Sequence, residues 1–460
     1  MTDQHDKLRE VSWNELFRWL VLLRAVRIAL LARVLVLGAL GLAATALGWW
    51  AIDYAFASTT DTVVQGPEWR RTVSGWLWDT SPEFSIVSSA QSADALFREV
   101  TKGLAEAPAS LWLYLTRPFI NLFHGDLTGT GFIYFTLCGV WELLVWAVFG
   151  GAVARIAALK FTRDEAPDFP GALRHSLSKI SSYGMAPLLA LAGAAVFGVQ
   201  LAILGWVMRL DFLAMVAGFA WPFVLLLGLL MAILLIGALV GWPLMWATVG
   251  VEGTDAFDAL SRSYAYVYQR PLRLLWYVLF AAVLAAVSMF IVKLFATSAI
   301  ALGNWAVSWG LDDTTFEEVV TRLPGEPVGA RANEVSGAAA APTVVADGPS
   351  LTGEPAVQAE VAEEKPEELT GTEWMAAKAI RFWKSLLGAL AAGYQAGFLF
   401  VAAVGVYLLL RKDIDGAEMD EVYVEDEPEF GMPPLVDDHV TGVPEVHSDL
   451  ATSSETAPSL

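Results

Sequence analysis

The sequence predicts an all-α, polytopic transmembrane helical bundle of about six spans. Of its 460 residues, 56% are apolar and 12% are aromatic, and the mean hydropathy is +0.51. The apolar residues collect in runs of about 20, the length that a helix needs to cross the ~30 Å hydrocarbon core of a bilayer. The chain also has 19 tryptophans, and indole rings favour the bilayer interface. We therefore expect an integral membrane protein.

The distribution of basic residues predicts the orientation of these spans. The predicted spans are residues 31–52, 131–154, 183–207, 220–249, 272–292 and 386–410. Lys and Arg cluster before the first span and after the second, fourth and sixth, so the positive-inside rule predicts an inner-membrane protein with both termini in the cytoplasm. One cluster disagrees: Lys378, Arg381 and Lys384 precede the sixth span on the outer side. We interpret residues 373–385 as an interfacial helix.

The segments between the spans are predicted from their composition. We expect a cytoplasmic N-terminal helix over 1–30, a cytoplasmic loop helix over 155–182, a cytoplasmic interfacial helix over 250–271 and an outer-face helical segment over 293–323. Residues 53–130 form an outer-face segment. Its aromatic stretch LWLYLTRPFINLF predicts an interfacial or re-entrant helix, with a small soluble domain as the alternative.

Two acidic segments are predicted to be disordered. Residues 324–370 are rich in Pro, Ala, Gly and Glu, with nine acids, two bases and no aromatic residue, which is typical of a linker. Residues 411–460 contain fourteen acids and have no Lys or Arg after Lys412. This acidic cytoplasmic tail predicts a protein partner with a basic surface, and a solvated tail without a partner is the alternative.

The composition also excludes several kinds of chemistry. The single cysteine, Cys138, rules out a disulfide within the chain, and the five histidines are scattered, so we predict no metal site and no cofactor. Nucleophile elbows and phosphate-binding glycine loops are absent from the sequence. The residues after Lys412 carry 14 of the 20 net negative charges, and the rest of the chain shows no basic surface for nucleic acid. We expect neither enzymatic activity nor nucleic-acid binding.

Two segments between spans share the spacing E-x-x-D-x-x-x-A-L-x-x-S. It occurs at Glu165–Ser176, between the second and third spans, and at Glu252–Ser263, between the fourth and fifth. This predicts a parallel two-span repeat, spans 2–3 and spans 4–5, with coincidence among common residue types as the alternative. GxxxG spacings at Gly237–Gly241 and Gly393–Gly397 predict close helix packing.

The second copy of this spacing predicts an amphipathic helix that lies on the membrane surface. Its assigned residues are Asp255 as the N-cap, an apolar stripe, an i, i+4 pair of Asp258 with Arg262 on the polar side, and Tyr266 and Tyr268 beside the stripe. The stripe consists of Phe257, Leu260, Tyr264 and Val267. The hydroxyls of Tyr266 and Tyr268 are expected to bind lipid headgroups while their rings stay in apolar surroundings. An active-site loop is the alternative.

Glu142 is the residue that most strongly suggests a functional site. It lies near the middle of the second span, where an acidic residue costs about 2.5–3.5 kcal/mol on insertion scales. Lys293, toward the outer end of the fifth span, is its conceivable partner, and snorkelling to the interface is the other interpretation of this lysine. Glu142 therefore either has a function, as a proton relay or a ligand contact, or is protonated and makes a buried structural hydrogen bond.

Two stretches of the sequence resemble known membrane proteins. GWPLMWATVGVEGTDAFDALSRSYAYVYQRP and YLLLRKDIDGAEMDEVYVEDE are similar to a family of uncharacterised bacterial polytopic inner-membrane proteins. The A-L-x-x-S helices are remotely similar to the membrane domain of glycerophosphodiester phosphodiesterases, over spans two to five only. The catalytic domain of those enzymes has no counterpart here, so this resemblance implies a membrane fold and no phosphodiesterase chemistry.

The sequence favours a non-enzymatic structural or partner-binding membrane component whose surface helices contact membrane lipids. The alternative is a transporter or lipid-handling membrane protein with a polar path near Glu142. A continuous hydrated cavity that reaches Glu142 favours transport, whereas a dry bundle argues against it.

Overall fold

The computed structural model describes residues 18–73, 110–165, 167–209, 212, 218–311, 371–423, 435–437 and 444–446. The chain forms two units, Met1–Glu421 and Val422–Leu460. The predictions for the residues before Arg18, for the linker and for most of the acidic tail lie outside the described residues.

The described elements of the first unit are all helical. In chain order they are a 3₁₀ turn Arg18–Leu22, α1 Leu23–Ala29, α2 Ala32–Ala55, α3 Pro67–Val73, α4 over residues 110–121, α5 Gly129–Thr162, α6 Phe169–Ser178, α7 Ile180–Val207, α8 Trp221–Glu252, α9 Ala256–Gln269, α10 Pro271–Ser308 and α11 Gly371–Ile414. Six of them, α2, α5, α7, α8, α10 and α11, are long and apolar enough to cross a membrane. The predicted six-span all-α bundle is confirmed. In the second unit, β1 Leu435–Asp437 pairs antiparallel with β2 Pro444–Val446.

Several spans run further than their apolar segments predict. Helix α5 continues to Thr162, α10 continues to Ser308, and α11 begins at Gly371. Residues 373–385 therefore belong to the same helix as the sixth span and do not form a separate one, while their interfacial position stays a prediction. Residues 293–308 likewise continue α10. A run of apolar residues shows only which part of a helix is suited to the hydrocarbon core. Backbone hydrogen bonds do not depend on side-chain polarity, so the helix continues into the polar residues on either side.

Helix α11 lies at the centre of the bundle. In its most apolar window 89% of the residues are buried, against 11% in α7 and 17% in α8 and α10. It packs against α2, α5, α8 and α10. The closest crossing is with α2, where a Cβ placed on Gly38 would collide with the backbone oxygen of Gly393. The predicted close packing at Gly393 is confirmed.

The two copies of the repeated spacing make the same local structure. The carboxylates of Asp168 and Asp255 cap their helices by accepting from backbone N–H groups at 3.1 and 2.9 Å. One turn or more later, Ser176 Oγ donates to the carbonyl of Ala147 and Ser263 Oγ donates to that of Gly241, both at 2.7 Å. Each short helix therefore folds back along the preceding span. This equivalence supports the predicted repeat, α5–α6–α7 and α8–α9–α10.

The repeats contact each other where α5 crosses the end of α8. A Cβ on Gly250 would lie 3.1 Å from the Cβ of Ala154. Arg155 donates to the carbonyl of Gly250 at 3.2 Å, and Lys179 donates to that of Gly253 at 2.6 Å. Two cations from the first repeat thus satisfy carbonyls at the C-terminal end of α8, which is the negative end of the helix dipole.

Helix α9 exists where the sequence predicts it, and its position on the membrane surface stays a prediction, but its tyrosine hydroxyls do not have the predicted partners. The hydroxyls of Tyr264 and Tyr268 donate to the backbone carbonyls of Leu234 and Ile233, each at 2.5 Å, deep in α8. Burial raises the pKa of Tyr264 to about 12, which keeps this hydroxyl a donor. These two tyrosines bind the neighbouring helix and not lipid headgroups.

The buried face of α9 also differs from the predicted apolar stripe. Phe257 is 70% exposed and Leu260 is only half-buried, whereas Ala259 and Ser263 are fully buried. The reason is the surface that α9 meets: Gly237 and Gly241 of α8 admit the close approach of small residues and rings. Packing of this kind selects small side chains and leaves the large apolar ones outside.

Candidate functional site

Glu142 lines a cavity of about 210 Å³ that is enclosed by α4, α5, α7 and α8. The inserted helix α4 closes one side. Its Phe119 ring packs so closely on Gly139 that a Cβ there would lie 2.8 Å from the ring, and the rings of Trp112 and Trp242 lie 5.3 Å apart. Helix α4 therefore packs against α5 and α8, and whether residues 110–121 are interfacial or re-entrant stays a prediction.

Helical spacing explains why the cavity residues share one face. Glu142 and Trp146 are four residues apart on α5, and Trp242 and Trp246 are four apart on α8, so each pair occupies neighbouring positions on its helix. From α11, Phe400 supports the tryptophans, with ring centroids 5.2 Å from Trp146 and 5.4 Å from Trp246. The central span thus fixes the walls of the cavity.

Three polar atoms in this wall have no hydrogen-bond partner. They are Oε2 of Glu142 and the indole nitrogens of Trp146 and Trp242, all buried. Their neighbours differ: Trp246 Nε1 donates to the carbonyl of Tyr183 at 2.8 Å, and the Thr116 hydroxyl donates within its own helix. Leaving a buried polar group unpaired costs about 1–3 kcal/mol. Finding three such groups around one cavity points to a ligand that supplies the missing partners.

The cavity opens sideways, toward the outer surface of the bundle. The lining residues with the highest exposure are apolar: Ile120 at 49%, Phe123 at 58% and Leu239 at 43%. Glu142 itself is 3% exposed and lies thirteen residues, or about 20 Å, from the start of α5 at Gly129. The carboxyl is thus reached from the outside of the bundle through a mouth of apolar side chains.

The structure does not bring Glu142 and Lys293 together. Lys293 lies on α10, and the cavity lining comes from α4, α5, α7 and α8. A salt bridge between the two, conceivable from the sequence, is therefore not formed. The lining is also almost entirely apolar, so the cavity is neither the continuous hydrated path nor the dry bundle that the sequence set as alternatives.

A second polar cluster lies at the ends of α8 and α11, and all of its charges are paired. Glu252 accepts from Tyr407 at 2.5 Å and from Arg411 at 3.1 Å, and forms a 2.8 Å ion pair with Arg262. Burial alone would lower the pKa of Arg262, but the charges of Glu252 and of its other acidic neighbours Tyr407, Asp258 and Tyr266 together outweigh burial and hold the pKa above its usual value.

This cluster explains the remaining predicted residues of α9. The predicted pair of Arg262 with Asp258 is present at 3.7 Å but is the weaker of its two contacts. Tyr266 donates to Asp415 at the end of α11; burial, then the hydrogen bond and negative charge of Asp415, raise its pKa. Arg262 and Tyr266 are thus occupied in joining α9 to α8 and α11.

Metal binding finds no support in the part of the chain that the structure describes. No group of three or more His, Cys, Asp or Glu side chains is arranged to hold a metal ion among those residues. The buried thiol of Cys138 lies one turn before Glu142 on α5 and is not in the cavity lining.

Comparison of the chain with protein-family models, curated proteins and solved structures finds no match. The resemblances to a bacterial inner-membrane family and to the membrane domain of glycerophosphodiester phosphodiesterases therefore stay predictions. Sequence reasoning found Glu142 but missed Trp146 and Trp242. The signal for both was present, since each belongs to an i, i+4 pair of polar or aromatic residues inside an apolar span.

Proposed function

We propose that this chain is a non-enzymatic, lipid-handling or transport protein of the inner membrane, with cytoplasmic termini, that binds an amphiphilic molecule from the bilayer in the Glu142 cavity. One observation carries the proposal: the unpaired Glu142, Trp146 and Trp242 groups share one cavity with an apolar, sideways mouth. A purely structural carboxyl at this position needs an internal partner for Oε2, and the described residues supply none.

The size of the cavity limits what it holds. Sites that enclose a drug-sized molecule measure about 300–1,000 Å³. At about 210 Å³ the Glu142 cavity is smaller, so it takes a polar group and the adjoining part of a molecule whose apolar remainder stays in the mouth or the bilayer. That is the shape of an amphiphile.

Filling the cavity tests the proposal. Ala238 lines the cavity on α8 and is 9% exposed, so Ala238→Phe fills the space from one wall. Leu229→Phe, at a 58% exposed position on the same helix, is the matched control. We expect native mass spectrometry of the purified chain to show a bound amphiphile in the wild type and in the control, and none in Ala238→Phe. Equal occupancy in all three proteins contradicts the proposal.

The structural or partner-binding role that the sequence favours rests on the charge of the tail. Nine of its fourteen acids follow Glu421, and most of that stretch lies outside the described residues. A chain that ends at Glu421 keeps the ion pairs of Asp413 with Arg18 and of Glu421 with Arg411. Proteins that co-purify with the full chain and are lost from this shorter one support partner binding; identical co-purification from both argues against it.

A further inference from the structure

We infer that the ligand of the Glu142 cavity is an amphiphilic cation, a molecule with an apolar body and one organic ammonium-type group. This inference rests on the proposed function and names its ligand class. Three features of the cavity support it: the lone carboxyl, the aromatic walls, and the choice of an acid where an amide would serve a neutral ligand.

The described residues that line the cavity supply no positive charge to Glu142. Helix α4 contributes Thr116 and apolar residues to the lining, α7 contributes Pro187 and Leu191, and α8 contributes apolar and tryptophan side chains. Among the described lining residues Glu142 is the only acid or base. A buried carboxyl that ionises needs a countercharge, and because no described lining residue supplies one, an ionised Glu142 takes that charge from the ligand.

The walls are suited to an organic cation. The aromatic lining residues are Phe119, Phe123, Trp146, Trp242 and Trp246. They come from three helices and therefore surround the cavity on more than one side. The faces of indole and phenyl rings attract cations, and quaternary ammonium groups are commonly bound by aromatic cages of this composition. The indole N–H groups of Trp146 and Trp242 remain available for an oxygen atom of the ligand.

A neutral amphiphile would explain these residues less well. An alcohol or ester needs hydrogen-bond donors and acceptors, which glutamine would provide at position 142 with a lower cost of insertion into the membrane than an ionisable acid. What the carboxyl adds over an amide is the ability to ionise and so to carry a negative charge. The cavity therefore has a feature that a cation uses and a neutral ligand does not.

The test uses radiolabelled decyltrimethylammonium and the full chain in nanodiscs, with the Ala238→Phe protein as the background for partition into lipid. We expect saturable binding to the wild type that unlabelled decyltrimethylammonium displaces, and that decanol and decyl sulfate do not displace. Glu142→Gln should weaken binding by at least about tenfold, because it removes one partner of a buried charge pair. Glu142→Asp keeps the charge and should retain most of the affinity, which separates loss of charge from misfolding.

The outcomes distinguish this inference from the proposed function. If decanol displaces the probe as well as the cation does, or if Glu142→Gln binds as tightly as the wild type, the cationic ligand class is wrong while ligand binding in the cavity stands. If none of the cationic, neutral and anionic decyl probes binds the wild type better than Ala238→Phe, both the ligand class and the proposed function are overturned.

Discussion

The substitution Glu142→Met removes the carboxyl while keeping the length and flexibility of the side chain. Glu142 is 3% exposed and its Oε2 has no partner, so the wild-type fold bears the cost of one unpaired buried polar atom, about 1–3 kcal/mol. Methionine has a similar helix propensity, and a swap that conserves volume costs under about 1.5 kcal/mol. The expected net effect is an increase in the free energy of unfolding of about 1 kcal/mol.

The assay is denaturation in mixed micelles of a mild detergent and dodecyl sulfate, followed by circular dichroism. The protein must be free of ligand, because a bound molecule stabilises the wild type by mass action and hides the effect. Glu142→Gln is the matched control: it keeps a polar group in the same place and should leave the stability near that of the wild type. A loss of more than 1 kcal/mol in Glu142→Met would mean that the carboxyl is part of a structural hydrogen bond, and the reasoning about the cavity would fail.

Three further predictions test the bundle around the cavity. Gly393→Ala should lower the free energy of unfolding by about 2 kcal/mol, because its Cβ would collide with the backbone of α2 and the overpacking cost of up to about 3 kcal/mol exceeds the ~1 kcal/mol gained in helix propensity. Gly228→Ala, with open space around it, should be neutral or stabilising. Equal effects of the two substitutions in the same micelle assay contradict the close crossing of α11 and α2. Ser263→Ala should cost about 0.6–1 kcal/mol by removing the bond to α8, whereas the exposed Ser261→Ala should cost nothing measurable. Burial alone would raise the pKa of Asp61, but its hydrogen bonds from Thr128 and from backbone N–H groups outweigh burial and lower the pKa. The ionised carboxylate therefore stabilises the fold above its ordinary pKa of 3.8, and this stabilisation is lost as the pH falls below that value. The free energies of unfolding of the wild type and Asp61→Asn should differ at pH 7 and converge at acid pH, and a difference that is the same at both pH values refutes this.

Local features of the sequence were enough to predict the architecture. The length of an apolar run and the position of a capping aspartate are properties of a few neighbouring residues, which is why the six spans and the N-cap of α9 at Asp255 could be predicted. The repeat could be predicted for the same reason, because in each copy the aspartate caps the short helix and the serine, at a fixed distance along the chain, bonds to the preceding span. Glu142 was recognisable because an acid is conspicuous within an apolar span.

The faces of the helices could not be predicted in this way. The periodicity of α9 tells which residues share a face but not which neighbour that face meets. The face that meets α8 is set by α8 itself, whose glycines and backbone carbonyls accept small residues and tyrosine hydroxyls. The proposed contact of Glu142 with Lys293 failed for a related reason: counting residues estimates the depth of each group in the membrane but says nothing about its direction around the helix.

The repeat provides an internal comparison for Glu142. Counted back from the carbonyl that accepts the bond of the repeat serine, Glu142 in α5 corresponds to Ile236 in α8. Counted back from the last residue of each helix, it corresponds to Ala232. By either count the second repeat builds the same helical hairpin with an apolar residue at this position, so the hairpin does not require a carboxyl. The helix α4 closes the cavity in which this carboxyl lies, between α5 and α7 of the first repeat and α8 of the second. A helix and a carboxyl that the duplicated hairpin does not need thus meet in one cavity, which is what a binding site added to a duplicated scaffold would produce.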